Sequence, residues 1–365
     1  QWNNPAGGLF SQANNWSSAQ VPGDKDTALF NLGAAGDAPY TVNGIQAALN
    51  RLVVGNDTVR LDFDRVGRLK LVSELAAAPG LVVGELTGQQ GSLALVDGGI
   101  LSAKDATIGA VAGSIGQLTL DGAQLDLSGT LSVGSNTSNR VTLTNAARLE
   151  AASATWKAGF VTLTASELNI AGALRIGSDG AMNVELNPGT HITSGNTTLD
   201  PRGGEIFGNL AAVLARGTQT RWDILGSLTT LSEGLSIIEF AEGADLRTEA
   251  AFIDGPTTGN LYTTLWVNGA GSTWTAGRGV DFGLVGQGSM GVQSGGIARA
   301  PSARLGVNEG SSGFVTVSFA NSRWEVSQLL EVGVLGQGLL RARSGGVVTA
   351  GELLVGDAGE ISIRN

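Results

Sequence analysis

Residues 282–356 read FGLVGQGSMGVQSGGIARAPSARLGVNEGSSGFVTVSFANSRWEVSQLLEVGVLGQGLLRARSGGVVTAGELLVG. The stretch repeats itself. Val332-Gly333 echoes Phe282-Gly283, Ser344-Gly345-Gly346 echoes Ser294-Gly295-Gly296, and Trp324 echoes Trp274, each pair 50 residues apart. Self-similarity at a fixed period marks a repeat architecture. A shorter step lies inside it, because Gly283, Gly306, Gly333 and Gly356 are separated by 23, 27 and 23 residues. Each step holds an apolar residue and a glycine, a small polar turn, an alternating strand and a glycine-rich corner.

The same phase runs toward the N-terminus. Leu52-Val53-Val54-Gly55, Leu81-Val82-Val83-Gly84, Ala106-Thr107-Ile108-Gly109, Leu131-Ser132-Val133-Gly134 and Leu174-Arg175-Ile176-Gly177 are one motif. A second strand follows each, such as Leu93-Ala94-Leu95 or Leu118-Thr119-Leu120. A third follows a corner, such as Leu125-Asp126-Leu127 or Leu168-Asn169-Ile170. Alternation with period 2 sends one set of side chains inward and the other outward. Three short strands and three turns per step make one coil of an all-β, right-handed parallel β-helix. At about 4.8 Å per coil, about 13 coils would form a rod of roughly 60 Å.

Four segments follow. Residues 1–48 carry Trp2, Phe10, Trp16 and Phe30 among turn signals, including Asn4-Pro5 and Pro22-Gly23. They predict an N-terminal cap that covers apolar side chains and strand edges at the end of the solenoid. Residues 49–198 are regular coils. Residues 199–262 are less regular and read as β-helix with insertions. In that segment 210–216, LAAVLAR, predicts one or two helical turns, and Leu228, Leu231, Leu235, Ile237, Ile238 and Phe240 continue the core. Residues 263–365 are regular coils with an open C-terminal end.

Composition limits the function. Of 365 residues 56 are glycine and none is cysteine, and the net charge is −10. Phosphate binding needs a concentrated Lys/Arg surface, so nucleic acid is not an expected partner. No run of 18 apolar residues is present to span a membrane. Gln1 in place of an initiator Met reads as a processed chain or a fragment.

The x-V-G turn followed by G-x-L-x-V-x-x-G-G resembles the repeats of bacterial autotransporter-associated and PEP-CTERM-associated proteins. Leu330-Glu331-Val332-Gly333 with Gly338-Leu339-Leu340-Arg341-Ala342-Arg343-Ser344-Gly345-Gly346 carries the resemblance best. Gly313-Phe314-Val315-Thr316-Val317 and the N-terminal Asn15-Trp16 and Val21-Pro22-Gly23 fit it too. The resemblance implies a passenger-like protein exported to the bacterial surface, such as an adhesin, matrix protein or appendage component. It implies no activity.

Chemistry-bearing residues are sparse. His191 is the single histidine, which alone makes neither a zinc site nor a catalytic triad. Alternation turns it outward if Ile192 faces in. Asp62 and Asp64 are expected on one outer face about 7 Å apart, with Arg60 and Arg65 nearby. Glu239, Glu242 and Asp245 form a second acidic patch. A paired-carboxylate glycosidase would use such residues, but a solvated outer face explains them as well. Asp24 and Asp26 flank Lys25 in a turn and are candidate calcium ligands. Trp156, Trp222, Trp266, Trp274 and Trp324 suggest a sugar-stacking stripe, against which core filling is the stronger reading.

The expected function is a non-enzymatic, structural or adhesive secreted surface protein without a cofactor, calcium aside. Its expected partners are a surface polysaccharide and further copies of itself. Ile361 and Ile363 in the last coil would leave an apolar end that stacks head-to-tail into filaments. The rival readings are a carbohydrate-active β-helix enzyme and a phage tailspike segment.

Overall fold

The computed structural model describes residues 1–33, 38–73, 78–201, 210–231, 233–257 and 262–364. Its ordered elements are β-strands apart from one 3₁₀ turn, Ala13–Asn15. The chain divides into two compact units, Gln1–Gly172 and Ala173–Asn365. That boundary falls inside a run the sequence pattern reads as uniform coils.

In the first unit, one column of parallel strands runs from Gly8–Leu9 through Tyr40–Asn43, Thr58–Asp62, Gln90–Val96, Ile115–Asp121 and Arg140–Thr144 to Gly159–Leu163. The other two strands of each coil stack in their own columns. Ile100–Ala103, for example, lies between Arg68–Leu71 and Gln124–Leu127. Apart from an antiparallel bridge between Trp2 and Trp16, the strand pairings described here are parallel with the core positions in register, so Leu93, Leu118 and Val141 stack as one buried ladder. The first coil gathers the aromatics of residues 1–48. Trp2 lies edge-on to Trp16 at 5.1 Å and parallel to Tyr40 at 6.3 Å, and Phe10, Trp16 and Phe30 complete a buried cluster. The indole N–H groups donate to Asn4 O and Phe10 O, so the rings are buried without orphaned donors.

The second unit repeats the plan. Met182–Leu186, Leu210–Arg216, Leu235–Ala241, Thr263–Asn268, Gln287–Gln293, Ser312–Ser318, Gln337–Arg343 and Gly359–Arg364 form its parallel column. The helical turns expected at 210–216 are absent. Leu210–Arg216 is a strand flanked on both sides, because backbone pairing and burial of Ala211, Val213 and Ala215 override the helix preference of Ala and Leu. Of the six core positions expected in 228–240, Leu228, Ile238 and Phe240 are buried, whereas Leu231, Leu235 and Ile237 are half-buried. Residues 202–209, 232 and 258–261 of the segment read as carrying insertions lie outside the described residues.

Four coils of this unit fuse their second and third strands into single long strands, Arg221–Thr230, Asp245–Ile253, Arg323–Val332 and Val347–Val355. The register shifts between Ile224 and Ser227 and between Val326 and Leu329. The x-V-G corner is built by close backbone crossing. Gly306 has φ +64°, and a Cβ there would lie 2.3 Å from Gln337 O. That conformation strains any residue with a side chain.

The 50-residue echo has a packing origin. One inward column of the second unit reads Trp222, Leu246, Trp274, Ala298, Trp324, Val348 in successive coils. An indole is wider than one coil spacing of about 4.8 Å, so a smaller residue alternates with each tryptophan. Phe282 bridges Trp274 and Trp324 edge-on at 6.2 and 6.3 Å.

Candidate functional site

The residues singled out by the sequence do not converge. His191 faces outward at the start of His191–Ser194, with Ile192 buried beside it. Its Nε2 lies 2.9 Å from Asp223 Oδ2, and Arg221 Nε lies 2.7 Å from the same oxygen. Partial burial pushes the Asp223 carboxyl up, but hydrogen bonds from Arg221 and His191 outweigh it and hold the group below the usual carboxylate range. The trio is an inter-coil ion cluster with no nucleophile in it.

Asp62 and Asp64 do not share an outer face. The strand ends at Asp62, and Asp64 sits in the following turn with φ +50°. Asp62 Oδ1 accepts from Asp64 N, and Asp64 Oδ2 accepts from Gly44 N. Both carboxylates cap backbone, while Arg60 pairs with Asp97 at 3.0 Å. Glu239 accepts from Asn268 Nδ2, and Asp245 holds Arg247 and Thr273. Asp26 Oδ2 accepts from Gly23 N and closes its own turn, and Asp24 is exposed beside it. Among the described residues, no three His, Cys, Asp or Glu side chains are grouped to hold a metal ion.

The five tryptophans separate into two kinds. Trp156, Trp222, Trp274 and Trp324 are buried in the core and cannot meet a ligand. Trp266 stands on the outer face of Thr263–Asn268. Its register partner is Gly291, where a Cβ would lie 2.0 Å from the indole Cζ3. The missing side chain lets the ring lie down along the sheet. Tyr262 and Phe314 flank it with their centroids 6.3 Å apart, and Arg341 Cζ sits 5.3 Å over the Phe314 ring. Together they line a groove of about 310 Å³. Sequence alone names Trp266 but not its neighbours, because Trp266, Phe314 and Arg341 come from three coils and only the register joins them.

Two further surfaces stand out. In the first unit, Lys70, Lys104, Asp126 and Glu150 line a groove of about 530 Å³. Asp126 and Glu150 are direct partners in adjacent strands. Gln124 donates to Asp126 at 2.7 Å, and Arg148 pairs with Glu150. In the last coil of the second unit, Ile361 and Ile363 share an apolar hollow of about 370 Å³ with Leu330, Leu340 and Leu353, and Ile363 is 77% exposed.

No protein-family model, curated protein or solved structure matches the chain. No helix among the described residues is long and apolar enough to cross a membrane.

Proposed function

We propose that the chain is a non-enzymatic structural or adhesive part of a secreted bacterial surface protein. One observation carries the reading: the charged outer positions are tied to each other from coil to coil. Arg304 grips Asp281 with two hydrogen bonds of 2.8 and 2.7 Å, Arg299 meets Glu325 at 2.9 Å, and Arg51 meets Glu85 at 2.9 Å. A carboxylate held by a guanidinium stays ionised and is a poor proton donor. Repeated ties of this kind suit a stiff scaffold. Self-association belongs to the same proposal, because Leu353, Leu354, Val355 and Ile363 present an exposed apolar surface.

The Asp126–Glu150 groove favours a second reading, a glycan-cleaving enzyme. Strand spacing of about 4.8 Å allows the carboxyl separation of about 5–5.5 Å that retaining glycosidases use. The two readings part in one experiment. The purified chain is incubated with a panel of polysaccharides and assayed for new reducing ends and unsaturated products, and in parallel for retention on bacterial and host cell surfaces. Retention without cleavage is expected. Cleavage that Glu150→Gln abolishes would replace the scaffold reading with the enzyme.

A further inference from the structure

We infer that the groove between Tyr262, Trp266, Phe314 and Arg341 binds an acidic oligosaccharide, a run of uronic acid residues. The inference gives the adhesive reading a ligand class and rests on it.

The first observation is the aromatic floor. Tyr262 and Trp266 belong to one coil and Phe314 to the coil two further on, and all three line one groove. Exposed aromatics on an outer strand face cost hydrophobic free energy unless something covers them. The glycine at 291 leaves room for the indole to lie over that backbone position. A pyranose carries an apolar C–H face of matching size, which gains by leaving water against such a ring.

The second observation is charge. Ten arginines of this acidic chain sit within 4.0 Å of a carboxylate. Among the described residues seven arginines pair with none, and three of these, Arg341, Arg343 and Arg364, gather in one hollow that Glu360 shares. Arg343 and Arg364 are direct register partners, and Arg341 is two residues from Arg343 on the same outer face. Three unpaired guanidinium groups on adjacent coils repel one another, so the cluster stores unfavourable energy that an anion would relieve. Arg341 already leans over Phe314, joining the cationic edge to the aromatic floor. A guanidinium fork meets a carboxylate with two parallel hydrogen bonds.

Together these features select the ligand. A neutral glycan would use the floor but leave the arginines unpaired. An acidic peptide would use the arginines but offers no regular apolar faces. A uronic acid chain supplies a ring face and a carboxylate on each residue. Glu360 lines the arginine hollow and Glu239 is the register partner of Trp266, so the three arginines outnumber these two carboxylates and leave the patch locally cationic.

The test is calorimetry of the whole chain with oligogalacturonate, the matching neutral galactose oligomer, and a poly-glutamate peptide. Oligogalacturonate is expected to bind, with affinity falling tenfold or more in Trp266→Ala and in the double variant Arg341→Gln/Arg343→Gln. Both variants should keep the wild-type circular dichroism and melting profile. Binding should also weaken as salt is raised. Equal binding of poly-glutamate, or binding unchanged by Trp266→Ala, would reduce the groove to a charge patch and overturn the assignment. If Trp266→Ala perturbs the fold, Trp266→Phe serves in its place and should bind more weakly than wild type. Failure to bind any glycan while the chain still adheres to cells overturns the groove alone. Failure of both removes the adhesive reading with it.

Discussion

Tyr40 and Asp57 show what a single buried contact contributes. Asp57 is fully buried, and its carboxylate accepts from Tyr40 O–H and Leu32 N–H, each at 2.6 Å. Burial, then the hydrogen bond to Asp57, pushes the Tyr40 phenol far above its ordinary range. An unfolded tyrosine loses its proton near pH 10, while the folded one keeps it. The folded chain therefore binds the extra proton, and stability falls as pH rises above about 10. The slope is about 1.4 kcal/mol per pH unit. Tyr40→Phe should cost stability at pH 7, by about 1–3 kcal/mol for an orphaned buried acceptor, and should flatten the alkaline slope. Urea titrations at pH 7 and at steps between pH 9 and 11 measure both. The aromatic cap around this pair was legible in residues 1–48. Asp57 was not, because Asn56-Asp57 after Gly55 reads as an ordinary polar turn, and only folding brings the Tyr40 ring to it.

At the scale of elements, the alternation of large and small residues in the tryptophan column sets the tolerance of each coil. Ala298 sits between Trp274 and Trp324 in register and is buried. Ala298→Leu should overpack the layer and cost about 1–3 kcal/mol. Trp324→Ala should leave a cavity worth about 3–5 kcal/mol. Trp324→Phe should cost clearly less than Trp324→Ala, because the Trp324 indole N–H has no acceptor among the described residues and no hydrogen bond is lost. Denaturant midpoints of the three variants give the order. The sequence shows the 50-residue echo of this column plainly, because Trp274 and Trp324 are rare letters at a fixed distance. The 23- and 27-residue steps also show that the echo spans two coils, but not the reason, which is ring width against coil spacing. The misread stretch Leu210–Arg216 fails for the opposite reason. The six small and aliphatic residues before Arg216 have no alternation to read, and the decision between strand and helix is made by the neighbouring coils.

At the scale of the molecule, the two ends of the described chain differ. The N-terminal coil is closed by the Trp2, Phe10, Trp16 and Phe30 cluster. The last coil leaves Val347, Leu353, Leu354, Val355 and Ile363 exposed, on strands Val347–Val355 and Gly359–Arg364 that each pair on one side only. The alternation of Ile361 and Ile363 names two of the residues that line this hollow, whereas their neighbours from Val347–Val355 needed the coil register. A second copy that stacked head-to-tail would meet Gly8–Leu9, Thr27–Phe30 and Gln46–Leu49, strands that also pair on one side only, beside aromatics that are buried rather than an exposed apolar surface. The better match to the open surface is another open surface, which pairs apolar residues with apolar residues and closes as a dimer. Sedimentation velocity over a hundredfold concentration range should therefore show a monomer–dimer equilibrium without longer species. Ile363→Lys should shift it tenfold or more toward monomer, since association would bury a charge without a partner. Species that keep growing with concentration would instead favour filaments, and a cysteine pair placed at Ile363 and in the 1–48 cap would then cross-link successive copies.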